Sequence, residues 1–216
     1  MRKIAASLLN VENNEKANTT NTLIENGLTW VHYDIMDGIF VPATALTLED
    51  VTKNVDLTEK HFVDIHLMVS TAENYIEKFK DVADLITFHH ESESYEVGLE
   101  IVKNNQNRGF KQGIALNPKT NIEQIYDYIP FVDVVLVMSV QPGAGGQKFN
   151  ENALNKISKL RKYIDERGLD VIIEVDGGIN NITGPQAFDA GADVLVSGSY
   201  LCSEPTEERL NSIKGK

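Results

Sequence analysis

The sequence predicts a single α/β domain, a (β/α)8 TIM barrel spanning residues 1–216, on three observations. Short β-branched or apolar runs recur roughly every 25–30 residues, as strands of a repeating unit do. A helical pattern follows most of them. Glycine stands just after four of those patterns, at Gly27, Gly109, Gly168 and Gly191, where it supplies a left-handed cap at little cost. Strands alternating with helices argue for a parallel sheet. The same alternation also builds a doubly wound open sheet, but eight units with no Pro/Gly/Ser-rich linker favour a closed barrel.

In chain order, residues 3–9 read as the first strand, with a helix over 14–26. Residues 30–36 are the second strand, with a short helix over 46–54. The third strand covers 61–68 and its helix 72–80. The fourth covers 84–89 and its helix 95–107. The fifth covers 111–117, with 121–128 helical after it. The sixth covers 132–140 and its helix 153–167. The seventh covers 170–175 and its helix 182–190. The eighth covers 193–197, and an amphipathic helix over 204–213 closes the chain.

Composition narrows the function. With 42% hydrophobic residues, the chain has enough apolar content for one sizeable core. The net charge of −12 argues against a nucleic-acid surface and against adhesion to anionic membrane. It also means that an anionic substrate needs local positive potential from backbone N–H groups or a metal. The single cysteine, Cys202, permits no internal disulfide and fits a reducing cytoplasm. The longest apolar run, Val134–Met138, has the length of a strand, so no membrane span is expected.

Side chains alternate across a strand. His32, Asp34 and Met36 therefore share one face, Asp64, His66 and Met68 another, and Glu174 pairs with Asp176. Val31, Tyr33 and Ile35 form the opposite set and pack toward helices. In a barrel, catalytic side chains sit at the C-terminal strand ends. An unpaired carboxylate there is costly, and pairing or a metal removes the cost. His32, Asp34, His66 and Asp176 converge from three strand ends and suit one divalent metal ion per subunit. Imidazole with carboxylate accommodates Zn, Fe(II), Mn or Co. The alternative is a buried ionic network without metal.

Glycine-rich turns follow the last three strands: Gly143-Ala144-Gly145-Gly146, Gly177-Gly178, and Gly198-Ser199. Such turns bring backbone N–H groups close to an anion, and barrel phosphate sites lie after the seventh and eighth strands. They are also ordinary tight turns. Lys148 reads as a solvated lysine. Met36, Met68 and Met138 form either an apolar, polarizable wall beside a bound molecule or adaptable core. His89 and Glu91 join the rim, His61 and His90 pack at the surface or on helices, Asp37 serves a turn, and Cys202 is structural.

Several of these segments are long motifs. His32-Tyr33-Asp34-Ile35-Met36-Asp37-Gly38 with Phe40-Val41-Pro42, Asp64-Ile65-His66-Leu67-Met68-Val69, and Asn117-Pro118 resemble motifs of the ribulose-phosphate 3-epimerase family. So do Met138-Ser139-Val140-Gln141-Pro142-Gly143 and Glu174-Val175-Asp176-Gly177-Gly178-Ile179-Asn180, and the order and spacing hold from Ser7 to Ser199. The resemblance implies a barrel enzyme that interconverts ribulose 5-phosphate and xylulose 5-phosphate, an oligomer as members commonly are. It implies metal ligands at His32, Asp34, His66 and Asp176, and acid/base groups at Asp34 and Asp176. It implies substrate contacts at Ser7, His32, His66, the Gly143–Gly146 turn with Ala144 and Gly145, Gly177, Gly178, Gly198 and Ser199.

The chain departs from the family pattern at Asn10 and Glu12, at Ala144 where phenylalanine is usual, and across residues 43–47. These departures leave open a 3-epimerase for a hexulose phosphate such as allulose 6-phosphate. A barrel that binds phosphate without catalysis is a further alternative, against which the intact four-residue set argues.

Overall fold

A computed structural model describes residues 2–216. Eight parallel strands close into a barrel in sequence order, with the eighth paired to the first. They are β1 (Lys3–Ser7), β2 (Trp30–Met36), β3 (Phe62–Met68), β4 (Leu85–His89), β5 (Lys111–Leu116), β6 (Val134–Met138), β7 (Ile172–Asp176) and β8 (Val194–Ser197). Around them run α1 (Lys16–Glu25), α2 (Leu48–Asp56), α3 (Ala72–Phe79), α4 (Tyr95–Asn104), α5 (Asn152–Glu166), α6 (Thr183–Asp189), α7 (Ser199–Cys202) and α8 (Glu207–Ile213).

Three expectations need correction. The helix expected over 121–128 is instead a pair of single 3-10 turns, Ile122–Ile125 and Ile129–Phe131. Pro118 and Pro130 bracket this stretch, and Pro130 can neither donate a helical hydrogen bond nor avoid the preceding turn. Ile122, Ile125 and Ile129 are buried all the same, so the apolar spacing reported burial and not helix type. The short helix α7 stands where the sequence predicts only a turn, because four residues carry no periodicity. The strands also end earlier than their apolar runs: Val132 and Val140 flank β6, yet both are buried.

The glycine caps are present. Gly27 and Gly191 have φ of +93° and +116°. The N–H that follows each reaches back to Leu23 and Ala187, closing α1 and α6.

The strand faces divide the labour. Val31, Tyr33, Ile35, Val63, Ile65 and Leu67 point outward into the main core shared with the helices. The inward face is layered, and the β2–β3 register shows the order: Trp30 opposite Phe62, His32 opposite Asp64, Asp34 opposite His66, Met36 opposite Met68. Trp30 and Phe62 stack with ring centroids 3.9 Å apart and close the lower end with Leu85, Val134 and Val194. Above this apolar plug lies a polar layer, and the methionines cap it. The barrel thus stacks its charged groups on successive levels between the plug and the mouth. No helix among the described residues is long and apolar enough to cross a membrane.

Candidate active site

The polar layer is built from neighbouring strands. His32 and His66 are fully buried and Asp34 nearly so. Asp34 accepts a hydrogen bond from the Ser7 hydroxyl at 2.7 Å through one carboxylate oxygen, and its other oxygen lies 3.2 Å from His66 Nδ1 and 3.5 Å from His32 Nε2. The two imidazoles approach to 3.2 Å, Nε2 of His32 to Nδ1 of His66. One ligand atom from each of His32, Asp34, His66 and Asp176 lies within 4.8 Å of the others. This donor set, two imidazole nitrogens and two carboxylates, fits a divalent cation. The buried cluster is able to hold a metal ion.

Each histidine is backed on its far side. His32 Nδ1 meets Asp64 Oδ2 at 2.7 Å, the carboxylate–histidine arrangement that fixes a tautomer and orients a ligand ring. His66 Nε2 meets His89 Nε2 at 2.8 Å. Below them Glu174 is fully buried, and neither carboxylate oxygen has a hydrogen-bond partner. Burial and the neighbouring Asp64 carboxylate push Glu174 well above the usual carboxylate range.

The two candidate acid/base groups sit differently. Burial would raise the Asp34 carboxyl, but the His32 and His66 imidazoles beside it outweigh burial and hold it far below its ordinary value. Asp176 keeps some exposure to the pocket, and burial pushes its carboxyl up to about 6. The strands that carry them, β2 and β7, are separated by β1 and β8 around the barrel, so the carboxylates approach from different sides.

Above the layer opens a cavity of about 480 Å³. Ser7, Asp34, Asp176, Gly143, Ala144, Gly145, Gly146, Gly177, Gly178, Gly198 and Ser199 line it, and Met36, Met68 and Met138 contribute its apolar wall. His32 and His66 lie outside that lining. Their rings are fully buried and are held by their own hydrogen bonds to Asp64 and His89. Among the described residues, Lys148 is the one cation that lines the cavity, and its side chain is exposed.

Two glycines show why the turns need glycine. Gly177 and Gly178 have φ of +111° and +63°, and a Cβ on Gly178 would overlap the Phe149 backbone nitrogen. The β7 turn is therefore pressed against the chain after β6. Asn10, a departure from the family pattern, donates to the Ser199 hydroxyl at 2.9 Å and fills the space where a Gly145 side chain would lie. The sequence marks Asn10 as a substitution and says nothing of its role. Its neighbours come from β6 and β8 loops more than 130 residues away, which no local spacing reveals.

Asp37 accepts from the N–H groups of Ile39, Phe40 and Ser70, as a turn carboxylate does. His61 bonds Tyr33 on the outer face, and His90 packs edge-on to Tyr128. The Cys202 thiol donates to the Ser7 carbonyl at 3.4 Å, and burial pushes it up to about 12.

Residues 3–202 match the family model described as the ribulose-phosphate 3 epimerase family. The curated ribulose-phosphate 3-epimerase of Treponema pallidum is 42% identical over 202 residues, 93% of this chain and 91% of that one. That of Bacillus subtilis is 35% identical over 222 residues, 100% and 99% of the two chains. That of Schizosaccharomyces pombe is 36% identical over 214 residues, 97% and 91%. Among solved structures, a 3-hexulose-6-phosphate synthase aligns over 99% of this chain and 98% of its own with a TM-score of 0.68. At 17% identity it speaks for the barrel alone. The chain belongs to the ribulose-phosphate 3-epimerase family.

Proposed function

We propose that the protein is a metal-dependent ribulose-phosphate 3-epimerase, interconverting D-ribulose 5-phosphate and D-xylulose 5-phosphate. The observation that carries this reading is the pair Asp34 and Asp176, two carboxylates from separated strands meeting at the floor of one pocket beside His32 and His66.

Epimerisation beside a ketone requires a proton to leave C3 and another to return from the opposite face. A single base tends to return the proton to the face it left. With two carboxylates, one takes the C3 proton and the other delivers a proton to the flat enediolate. The Ser7 hydroxyl orients Asp34 for this role. Asp176, raised by burial toward neutral pH, suits a group that both gives and takes a proton. His32, His66, Asp34 and Asp176 would hold the cation, whose chemistry is Lewis acidity toward the negative charge developing on the ketone oxygen. Met36, Met68 and Met138 keep the reacting carbon in an apolar wall that excludes water.

The Gly143–Gly146, Gly177-Gly178 and Gly198-Ser199 turns also line the pocket and supply backbone N–H groups for the phosphate. This resolves the conflict between an anionic substrate and a net charge of −12.

A coupled assay with ribulose 5-phosphate on metal-reconstituted protein tests the reading, and absence of turnover with every divalent metal tried would overturn it. Ala144 lines the pocket and leaves more room than a phenylalanine, so the same assay with a hexulose 6-phosphate decides sugar length. We expect the larger kcat/KM for the pentulose.

A further inference from the structure

The two buried histidines of the site differ in what stands behind them. His32 is backed directly by the Asp64 carboxylate. His66 is backed by a second histidine, and behind that runs a line of hydrogen bonds that the epimerase reading does not use. His89 Nε2 lies 2.8 Å from His66 Nε2, and His89 Nδ1 lies 3.3 Å from Glu91 Oε2. The other Glu91 oxygen accepts the Asn117 N–H at 2.8 Å and the Thr120 hydroxyl. The Lys156 ammonium fastens that loop by donating to the carbonyls of Asn117, Pro118 and Thr120. His89 is fully buried, and the Phe40 ring packs against it with centroids 4.9 Å apart.

We propose that His89 and Glu91 are positioning residues that decide which ring nitrogen of His66 is bare, and thereby set the affinity of the site for its cation. The direction of the line is fixed at its far end. A backbone N–H only donates, so the Glu91 oxygen facing Asn117 must accept. A carboxylate has only acceptors, so its second oxygen requires a proton on His89 Nδ1. In neutral His89 the Nε2 atom is then bare and accepts from His66 Nε2–H. That leaves His66 Nδ1 bare for a bound cation, and Nδ1 is the atom that lies 3.2 Å from both His32 Nε2 and Asp34 Oδ1. Without the cation, the Asp34 oxygen is an acceptor and competes for a proton on that nitrogen. Four hydrogen-bonded groups thus hold a lone pair toward the cation from a loop beyond β5. Outer partners of this kind are worth about 10–100-fold in metal affinity.

Glu91→Gln tests the polarity, because it is nearly isosteric and reverses one end. Its amide oxygen must still meet the Asn117 N–H, so its NH2 group faces His89 Nδ1. His89 then carries its proton on Nε2, opposing His66 Nε2–H. The inference rests on the cation reading above, and cobalt(II) titration with chelator competition separates the two. The expected result is tight binding by the unmodified chain and about 10–100-fold weaker binding by E91Q, with the melting temperature of the metal-free chain unchanged. Equal affinity in E91Q overturns the inference and leaves the cation reading intact. Absence of cobalt binding by the unmodified chain overturns both. Nitrogen-15 histidine spectra of the unmodified, zinc-loaded chain decide the matter even if E91Q fails to fold. A proton on His89 Nδ1 with Nε2 bare supports the inference, and a proton on Nε2 overturns it.

Discussion

The two halves of the barrel mouth are made of different material. From β2 to β4 the layer under the mouth is side chains: His32, Asp34, Asp64, His66 and His89 sit on strands, buried and hydrogen-bonded to one another. From β6 to β8 it is largely backbone: glycine turns at Gly143–Gly146, Gly177-Gly178 and Gly198, pressed close by Asn10 and Phe149. The first half suits a cation and the second an anion, and neither uses a cationic side chain in the interior. On the proposed function, an acidic protein binds a sugar phosphate this way without a basic patch. Asp176 joins the halves, since it stands on β7 immediately before Gly177 and shares the cluster with His32 and His66.

The comparison breaks first at that joint. Asp176→Asn should lower kcat by about 10²–10⁴-fold, the usual worth of a positioned acid/base group, while circular dichroism stays native. Activity near that of the unmodified chain would refute the two-carboxylate scheme. Stripping the protein with a chelator should abolish turnover yet leave the barrel folded, because Trp30, Phe62 and the outward core do not depend on the cation. Adding zinc, manganese, cobalt or iron(II) should restore activity and raise the melting temperature through preferential binding to the native state.

A smaller effect is expected in the backbone half. Gly178→Ala places a Cβ against Phe149 in a residue with φ of +63°. We expect KM to rise about tenfold, on the order of 1.4 kcal/mol, with cobalt affinity unchanged. A change in cobalt affinity of the same size would mean that the halves are not separate. The smallest effect is expected for Lys148→Ala. The side chain is exposed, and an exposed charge is worth about 0–1 kcal/mol, so KM should change by less than about fivefold at physiological salt. A much larger rise would move the anion site from backbone to side chain.

Legibility in the sequence follows the same division. His32-x-Asp34 and Asp64-x-His66 are legible because alternation along one strand reveals a shared face, and polar residues on an inward face are conspicuous. The barrel is legible because eight strand–helix units repeat. The second half is harder: a Gly-Gly pair marks a turn, but the Phe149 and Asn10 contacts that make glycine obligatory come from distant loops. The His66–His89–Glu91 line is hidden for the same reason. His89 and Glu91 are visible at a strand end, yet Asn117, Thr120 and Lys156 become their neighbours only when the barrel closes β4 onto β5. Apolar spacing also misjudges the stretch after β5, because it records burial and is blind to what Pro130 forbids.

Converting ribulose 5-phosphate with the metal-loaded protein in deuterium oxide, and reading C3 of the product by nuclear magnetic resonance, tests the central claim directly. Proton removal and return by two carboxylates predicts xylulose 5-phosphate with deuterium at C3. Product that retains the original hydrogen there, or no product at all, would contradict it.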